Sequence, residues 1–267
     1  MTKKRLDISH VIFSVLGAVM LLFIIAPMIS LFLKTKLPAF AETVADQDVR
    51  SSIGLTLACS AGAVLFFSVF AIPFAWLMAR KQFPGKTIIR ALTDLPVVIP
   101  HTAAGIALLG FISRDTAFGQ AADSLGFSLV GHPVGIALAM AFVSLPFLIN
   151  AARDAFESVP RHLELTALNL GASPWRTFVS VSLPMAWHGI LTGFVMMFAR
   201  GMSEFGAVVI IAYHPMTAPV MIFERFTSFG LDYARPVAAF FIIIALIVFY
   251  LLRFLARKRY AQSRFAT

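Results

Sequence analysis

Six long apolar stretches, parted by short charged blocks, decide at once what this chain can become. They run over residues 10–33, 52–79, 94–112, 134–152, 187–212 and 235–256. A bilayer core takes roughly 20 mostly apolar residues to cross as a helix. Backbone groups surrounded by hydrocarbon must pair with one another, so such stretches are helices rather than isolated strands. Across the 267 residues, 59% are hydrophobic and only 13% charged. A globular domain carries about 25% charged residues, which excludes a soluble fold. The expected architecture is an all-α integral membrane protein with six transmembrane helices in one domain. The third stretch, DLPVVIPHTAAGIALLGFI, holds Pro96 and Pro100 and is expected to begin as kinked or irregular backbone. The fourth is the shortest, and five spans is the alternative count.

Charge fixes the direction. The formal net charge of +9 would point to nucleic acid in a soluble protein. Here it falls instead into the connecting segments, and nucleic acid is not an expected partner. Fifteen of the 22 Lys and Arg residues lie on one side: Lys3, Lys4 and Arg5; Arg80, Lys81, Lys86 and Arg90; Arg153, Arg161 and Arg176; and a C-terminal group from Arg253 to Arg264. Six lie on the other (Lys34, Lys36, Arg50, Arg114, Arg225 and Arg235), and Arg200 is inside a span. The positive-inside rule places the first set, with both termini, in the cytoplasm of a plasma-membrane protein. Ala39-Phe40-Ala41 resembles a cleavage site, but the apolar run at 11–33 far exceeds a signal-peptide core, so an uncleaved first helix is expected. Cys59, the single cysteine, excludes an intrachain disulfide and reads as a small core residue.

The stretch QFPGKTII at 82–89 ends like a phosphate-binding loop, with Gly85-Lys86-Thr87. That motif needs a second glycine five positions earlier, after a buried strand. The position holds Arg80, at the end of an apolar run. A basic loop with a turn at Pro84-Gly85 is the reading here, and any nucleotide is bound elsewhere.

The longest cytoplasmic segment, 153–186, encodes structure of its own. Pro160 stands where a helix can start, and Leu163, Ala167 and Leu170 recur at helical spacing. Gly171 suits the residue past a helix end, and Ser173-Pro174 supplies an N-cap and first-turn proline for a second short helix. Leu183-Pro184 is expected to close that helix before the next span. Two short helices hinged at a glycine are either a docking element or an amphipathic pair lying on the headgroups.

In this loop the chain resembles the permease subunits of binding-protein-dependent ABC importers. Their loop carries Glu-Ala-Ala, three residues, Gly, nine residues, then Ile-x-Leu-Pro. Here Gly171 is followed at that spacing by Val181-Ser182-Leu183-Pro184, whereas the Glu-Ala-Ala positions read Leu165-Thr166-Ala167, with Glu164 one place early. The resemblance implies the type I permease fold, with 160–174 as a coupling helix seated in a separate ATP-binding subunit. Glu164, Thr166, Ala167, Gly171, Ala172, Ser173, Leu183 and Pro184 are the coupling residues it implies. It further implies a homodimer, two ATP-binding cassette subunits that hold ATP and Mg, and an extracytoplasmic binding protein, with no cofactor on this chain. DLPVVIPHTAAGIALL at 94–109 and ARGMSEFGAVVIIAY at 199–213 are similar to permeases for tetrahedral oxyanions. Ile99-Pro100-His101-Thr102 with Ser203-Glu204-Phe205-Gly206 most resembles the molybdate/tungstate branch, with sulfate/thiosulfate as the alternative.

A charge in mid-bilayer costs roughly 2.5–3.5 kcal/mol on insertion scales, so it marks a partner or a pathway. Arg200 lies about 13 residues into the fifth span by sequence, with Ser203 and Glu204 at i+3 and i+4. These form either an internal brace or a polar patch along an anion route. Pro100, His101 and Thr102 either border the same route, as broken backbone does in transporters, or make a simple kink. Asn150, Arg153 and Asp154 read as structural, and 217–229 as an interfacial amphipathic segment with Glu224 and Arg225 outward. His132 and His214 stand isolated, giving no metal site, and no nucleophile–base spacing suggests hydrolysis on this chain. Two rival classes remain. An ion-coupled secondary transporter would carry carboxylates on several spans and an internal repeat. A non-transporting scaffold would not need the polar face of the fifth span.

Overall fold

The computed structural model describes residues 8–264, with the side chains of Ile8 and of 255–264 left aside. Lys3, Lys4 and Arg5 therefore lie outside the described residues, as do the side chains of the basic C-terminal group beyond Arg253. Among the described residues there are helices and no strand. In chain order they are α1 (Ile8–Leu33), α2 (Leu37–Ala45), α3 (Gln47–Arg80), α4 (Lys86–Val98), α5 (His101–Ile112), α6 (Ala117–Ser124) and α7 (Pro133–Ser158). Then follow α8 (Arg161–Asn169), α9 (Pro174–Thr177), a π-helical turn (Phe178–Ser182), α10 (Leu183–Met202), α11 (Gly206–Ile211), α12 (Ala218–Phe229) and α13 (Leu231–Arg264). Five helical stretches are long and apolar enough to cross a membrane, and the pair α4–α5 makes a sixth if its two bent halves count as one span.

Local chemistry sets the helix starts. The Asp46 carboxylate accepts from the backbone N–H groups of Asp48 and Val49 (2.8 and 3.4 Å) to cap α3. His132 Nδ1 accepts from Val134 N, with Pro133 in the first turn of α7. At the inner end of α3, Gly85 adopts φ 84° and starts α4, while Lys86 Nζ donates to the Lys81 carbonyl. The GKT stretch thus lies in a helix–turn–helix connection, with no strand before it to build a phosphate cradle.

The core forms where α3, α7 and α10 cross. α3 turns Ile53, Thr56, Cys59, Ser60, Ala63 and Val64 inward at spacings of three and four. Small residues let the backbones approach, as is usual within membranes. A Cβ on Gly189 would lie 2.4 Å from that of Ala155, and one on Gly193 would lie 3.0 Å from Leu148 Cδ1. Two buried hydroxyls in this core are paired: Thr56 Oγ1 donates to Ser52 O and accepts from Ala218 N, and Ser144 Oγ donates to Met140 O. α1 is exposed along its length, with Phe13, Phe23 and Leu33 on its surface, as a helix in contact with lipid can be.

Two of the expected spans take a different shape. The third is not one kinked helix beginning at residue 94. α4 starts at Lys86 and turns through 112° into α5 at Ile99-Pro100. Pro100 lacks the N–H needed to continue the ladder and restricts Ile99 to extended backbone (ψ 148°). The fifth does not run unbroken over 187–212. It begins at Pro174, ends at Met202, and restarts as α11 after Ser203-Glu204-Phe205. Arg200 is consequently in the last turn of α10, not deep within a continuous span.

Charged groups gather at the two ends of the bundle. Arg80 meets Glu164, and Arg90 pairs with Glu157 (3.1 Å), so the basic residues of 80–90 and 153–164 share one end. Lys34, Lys36, Arg225 and Arg235 line one hollow at the other, together with Asp46. Arg225 does not point freely outward there, because it pairs with Asp46 at 2.9 Å and pins α12 to the cap of α3. Asn150 holds α4 to α7, donating to Asp94 Oδ1 (2.6 Å) while accepting from Arg153 Nη1 (2.7 Å).

Candidate functional site

The loop between α7 and α10 folds as a hook. α8 ends in a Schellman motif: Gly171 N donates to Leu168 O and Ala172 N to Ala167 O, both at 3.0 Å. Gly171 takes φ 87°, and a Cβ there would meet nothing, so conformation rather than space requires the glycine. Ser173 Oγ accepts from Arg176 N (3.2 Å) and Pro174 opens α9. Leu183-Pro184 does not close the second helix. Leu183 N reaches back five residues to Phe178 O, and this π turn makes room for the Pro184 ring, so α9 runs on into α10. Leu165, Leu168 and Leu170 stand exposed on α8. Thr166 is exposed too, its hydroxyl returned to His162 O, and Ala167 is half-buried.

Glu164, implied by the resemblance as a contact for an ATP-binding subunit, faces inward and is 6% exposed. Arg80 Nε lies 2.8 Å from Oε2. Arg80 Nη2 donates to Oε1 (3.0 Å), as does Ser182 Oγ (2.6 Å). The same Nη2 also donates to Val159 O (2.9 Å). One buried ion pair thus ties the end of α3, the end of α7, α8 and the π turn together. The sequence by itself marks Arg80 only as a topology charge and Ser182 only as a spacer. Their shared signal in the sequence was the offset of Glu164 from its usual place, which puts it a helical step further round.

The second cluster forms where the two broken helices meet. Gly206 and Gly105 bring α11 against α5 so closely that a Cβ on Gly206 would lie 2.8 Å from His101 Cβ, and one on Gly105 would lie 2.9 Å from Ala207 Cα. Glu204, 1% exposed, sits in this seam. Its Oε1 accepts from Ala207 N (2.8 Å), its Oε2 from Arg200 Nη2 (2.8 Å) and from His101 Nδ1 (2.9 Å). Arg200 Nη2 also lies 2.6 Å from His101 Nδ1 and 3.0 Å from its Nε2, so the two side chains cluster on the one carboxylate. The carboxylate is sealed, while the edges of His101 and Arg200 and the exposed Pro100, Thr102 and Ser203 open from it. Ser203 Oγ donates to Arg200 O (3.1 Å). The structure therefore gathers Arg200, Glu204 and His101 into one network, with Thr102 and Ser203 along its open side. Glu204 is held inside this network, and the others present polar atoms outward.

A bundle of five helices long and apolar enough to cross a membrane and one bent pair, with two interrupted helices meeting in its interior, has the architecture of a membrane transport subunit. The chain belongs to the family of binding-protein-dependent transport system inner membrane components, which its residues 71–264 match. It is 39% identical over 96% of its length to the molybdate/tungstate transport system permease protein WtpB of Thermococcus kodakarensis, covering 100% of that protein. It is 34% identical over 81% of its length to a probable sulfate transport system permease protein, cysT, of Chlorokybus atmophyticus, covering 77% of it. A crystal structure of a bacterial ABC transporter that imports alginate has the same fold, with a TM-score of 0.71 at 18% identity over 93% of this chain and 95% of that one.

Proposed function

We propose that this chain is the permease of an ATP-driven importer that carries molybdate or tungstate into the cytoplasm. Two copies pair around the pathway, and each hook seats in one of two ATP-binding subunits. Those subunits hold ATP and Mg, and an extracytoplasmic binding protein delivers the oxyanion. The chain itself makes and breaks no covalent bond. Its work is to stabilise two conformations differently as the ATP-binding subunits close and reopen. Both termini face the cytoplasm, together with the basic end that carries the hook.

The observation that carries the substrate is the near end-to-end identity to a protein named for molybdate and tungstate. The sulfate reading rests on a lower identity over a shorter stretch. The junction supports an anion route. Arg200 stands beside the start of α5, whose first turn has no side-chain cap, while Glu204 is turned away and neutralised. A half-helix N-terminus opening inside a membrane favours an anion.

Competitive uptake by the reconstituted complex tests this. Molybdate and tungstate should displace one another at far lower concentration than sulfate or thiosulfate. A sulfate preference would reassign the substrate. Uptake driven by an ion gradient without the ATP-binding subunits would overturn the reading altogether.

A further inference from the structure

A two-part cavity lies in the seam between α3 and the hook. Its wide part is an apolar cleft of about 420 Å³ walled by Pro73, Leu77, Trp175 and Phe178. Its narrow part, about 160 Å³, is lined by Lys81, Arg161, Leu168 and Thr177. Trp76 and Pro174 line both, so the two share a wall. At that wall Trp76 Nε1 and Thr177 Oγ1 are shielded and make no hydrogen bond among the described residues, and Thr177 is 3% exposed. Buried polar groups left unpaired are costly, so an acceptor is called for. Lys81 and Arg161 form no ion pair among the described residues. Glu164, the carboxylate in the pocket, is already held by Arg80 and Ser182. The narrow part therefore sets two cations, Lys81 and Arg161, around a mostly apolar lining, and the wide part offers hydrocarbon and rings.

The position in the membrane identifies what meets both. On α3 the exposed residues Leu65, Phe66, Val69, Phe70 and Leu77 share one face with Pro73, and this stripe leads into the cleft. α3 has 34 residues, roughly 51 Å at 1.5 Å each, so its ends pass beyond a core of about 30 Å. Its last two turns thus stand at headgroup level. Trp175, 69% exposed beside them, is the residue type found there. We propose that this seam binds an anionic phospholipid. An acyl chain lies along Leu77, Trp175 and Phe178, and the phosphate accepts from Lys81, Arg161, Trp76 and Thr177. A bound lipid then props the hook against α3 beside the Arg80–Glu164 pair. Only the choice of leaflet rests on the orientation proposed above.

The test uses the assembled complex in nanodiscs of equal phosphatidylglycerol and phosphatidylcholine, extracted gently and read by native mass spectrometry. Phosphatidylglycerol should be retained on the order of tenfold over phosphatidylcholine, the preference that two nearby cations supply. Lys81→Gln with Arg161→Gln should abolish the preference, and Lys81→Arg with Arg161→Lys should keep it. Trp175→Ala should lower retention of both lipids alike. Equal retention by wild type, or preference surviving the double Gln variant, overturns the proposal. Displacement of the lipid by millimolar inorganic phosphate would make this a free-anion pocket instead. Retention by the isolated chain but not the complex would mean that an ATP-binding subunit fills the seam. Lipid retention is read without transport, so its failure leaves the oxyanion assignment standing, and a different cargo leaves the lipid site standing.

Discussion

Removing the Glu164 carboxylate should uncouple the hook from the bundle without dissolving the bundle. Glu164 and Arg80 have side chains 9% and 10% exposed, so solvent screens their attraction little. In Glu164→Ala, Arg80 keeps only the Val159 carbonyl, and Ser182 loses its acceptor. Breaking a buried pair on one side costs about 3–5 kcal/mol, because the surviving charge is left uncompensated. At 1.4 kcal/mol per decade, the undocked state of α8 gains roughly 10² to 4 × 10³ in population. The membrane helices keep their own contacts, so the cost falls on the loop. Hydrogen exchange over residues 160–172 should therefore accelerate by about that factor, while α7 and α10 exchange as before. In the assembled transporter, oxyanion imported per ATP hydrolysed should fall while ATP hydrolysis persists. Glu164→Gln, which keeps an acceptor but not the charge, should fall between. Unchanged exchange in the loop, or uptake and hydrolysis declining in strict proportion, would refute the idea that this carboxylate fastens the hook.

Other perturbations test neighbouring parts. Gly171→Leu forces a branched residue to φ 87° at about 1–2 kcal/mol; it should fray the end of α8 and lower ATPase stimulation by loaded binding protein, and normal stimulation would remove the need for that turn. His101→Ala or Thr102→Ala should depress uptake at least tenfold while the complex still copurifies intact, and undiminished uptake would take both off the route. Gly206→Val sets a branched side chain into a gap where a Cβ already lies 2.8 Å from His101, so the chain should lose yield and thermal stability before any transport is measured. Arg225→Ala unties α12 from Asp46 at a partly exposed pair, and the loss in unfolding free energy should stay near 1 kcal/mol.

Periodicity and turn chemistry reach only as far as local rules do. The hook was legible because each of its stops is a local event: Gly171 at a positive φ, Ser173 capping, Pro174 in a first turn. The ends of α4–α5 and α10–α11 were not legible, since an apolar stretch reads the same whether its backbone is straight or folded back by 112°. Pro100 announced a break, yet its angle is set by Gly105 and Gly206, which let α5 and α11 touch across about 100 residues of sequence. Glu204 was visible as a membrane charge, whereas its sealing by Ala207 N and His101 depends on that contact. Glu164 was misplaced for a related reason. A resemblance assigns a role to a motif position, and a shift of one residue turns a side chain by 100° on a helix.

α10 joins the two clusters, and that connection explains why they coexist in one chain. Its first residue follows Ser182, which donates to Glu164 in the hook, and its last turn holds Arg200, which pairs with Glu204 at the junction. Between them lie 20 helical residues, roughly 30 Å of rod. The rod cannot flex independently of α7, because Gly189 and Gly193 seat it directly on Ala155, Ala151 and Leu148. α7 in turn holds α4 through Asn150 and Asp94, and α4 leads to the bend before His101. A displacement of the hook therefore reaches the junction by two routes, through α10 to Arg200 and through α7 and α4 to His101. The two side chains meet on one carboxylate, so any difference in travel along the routes must open the Arg200–Glu204–His101 contacts. Under the proposed function, the polar face of the junction then changes in step with the hook, which is the property an ATP-driven permease requires.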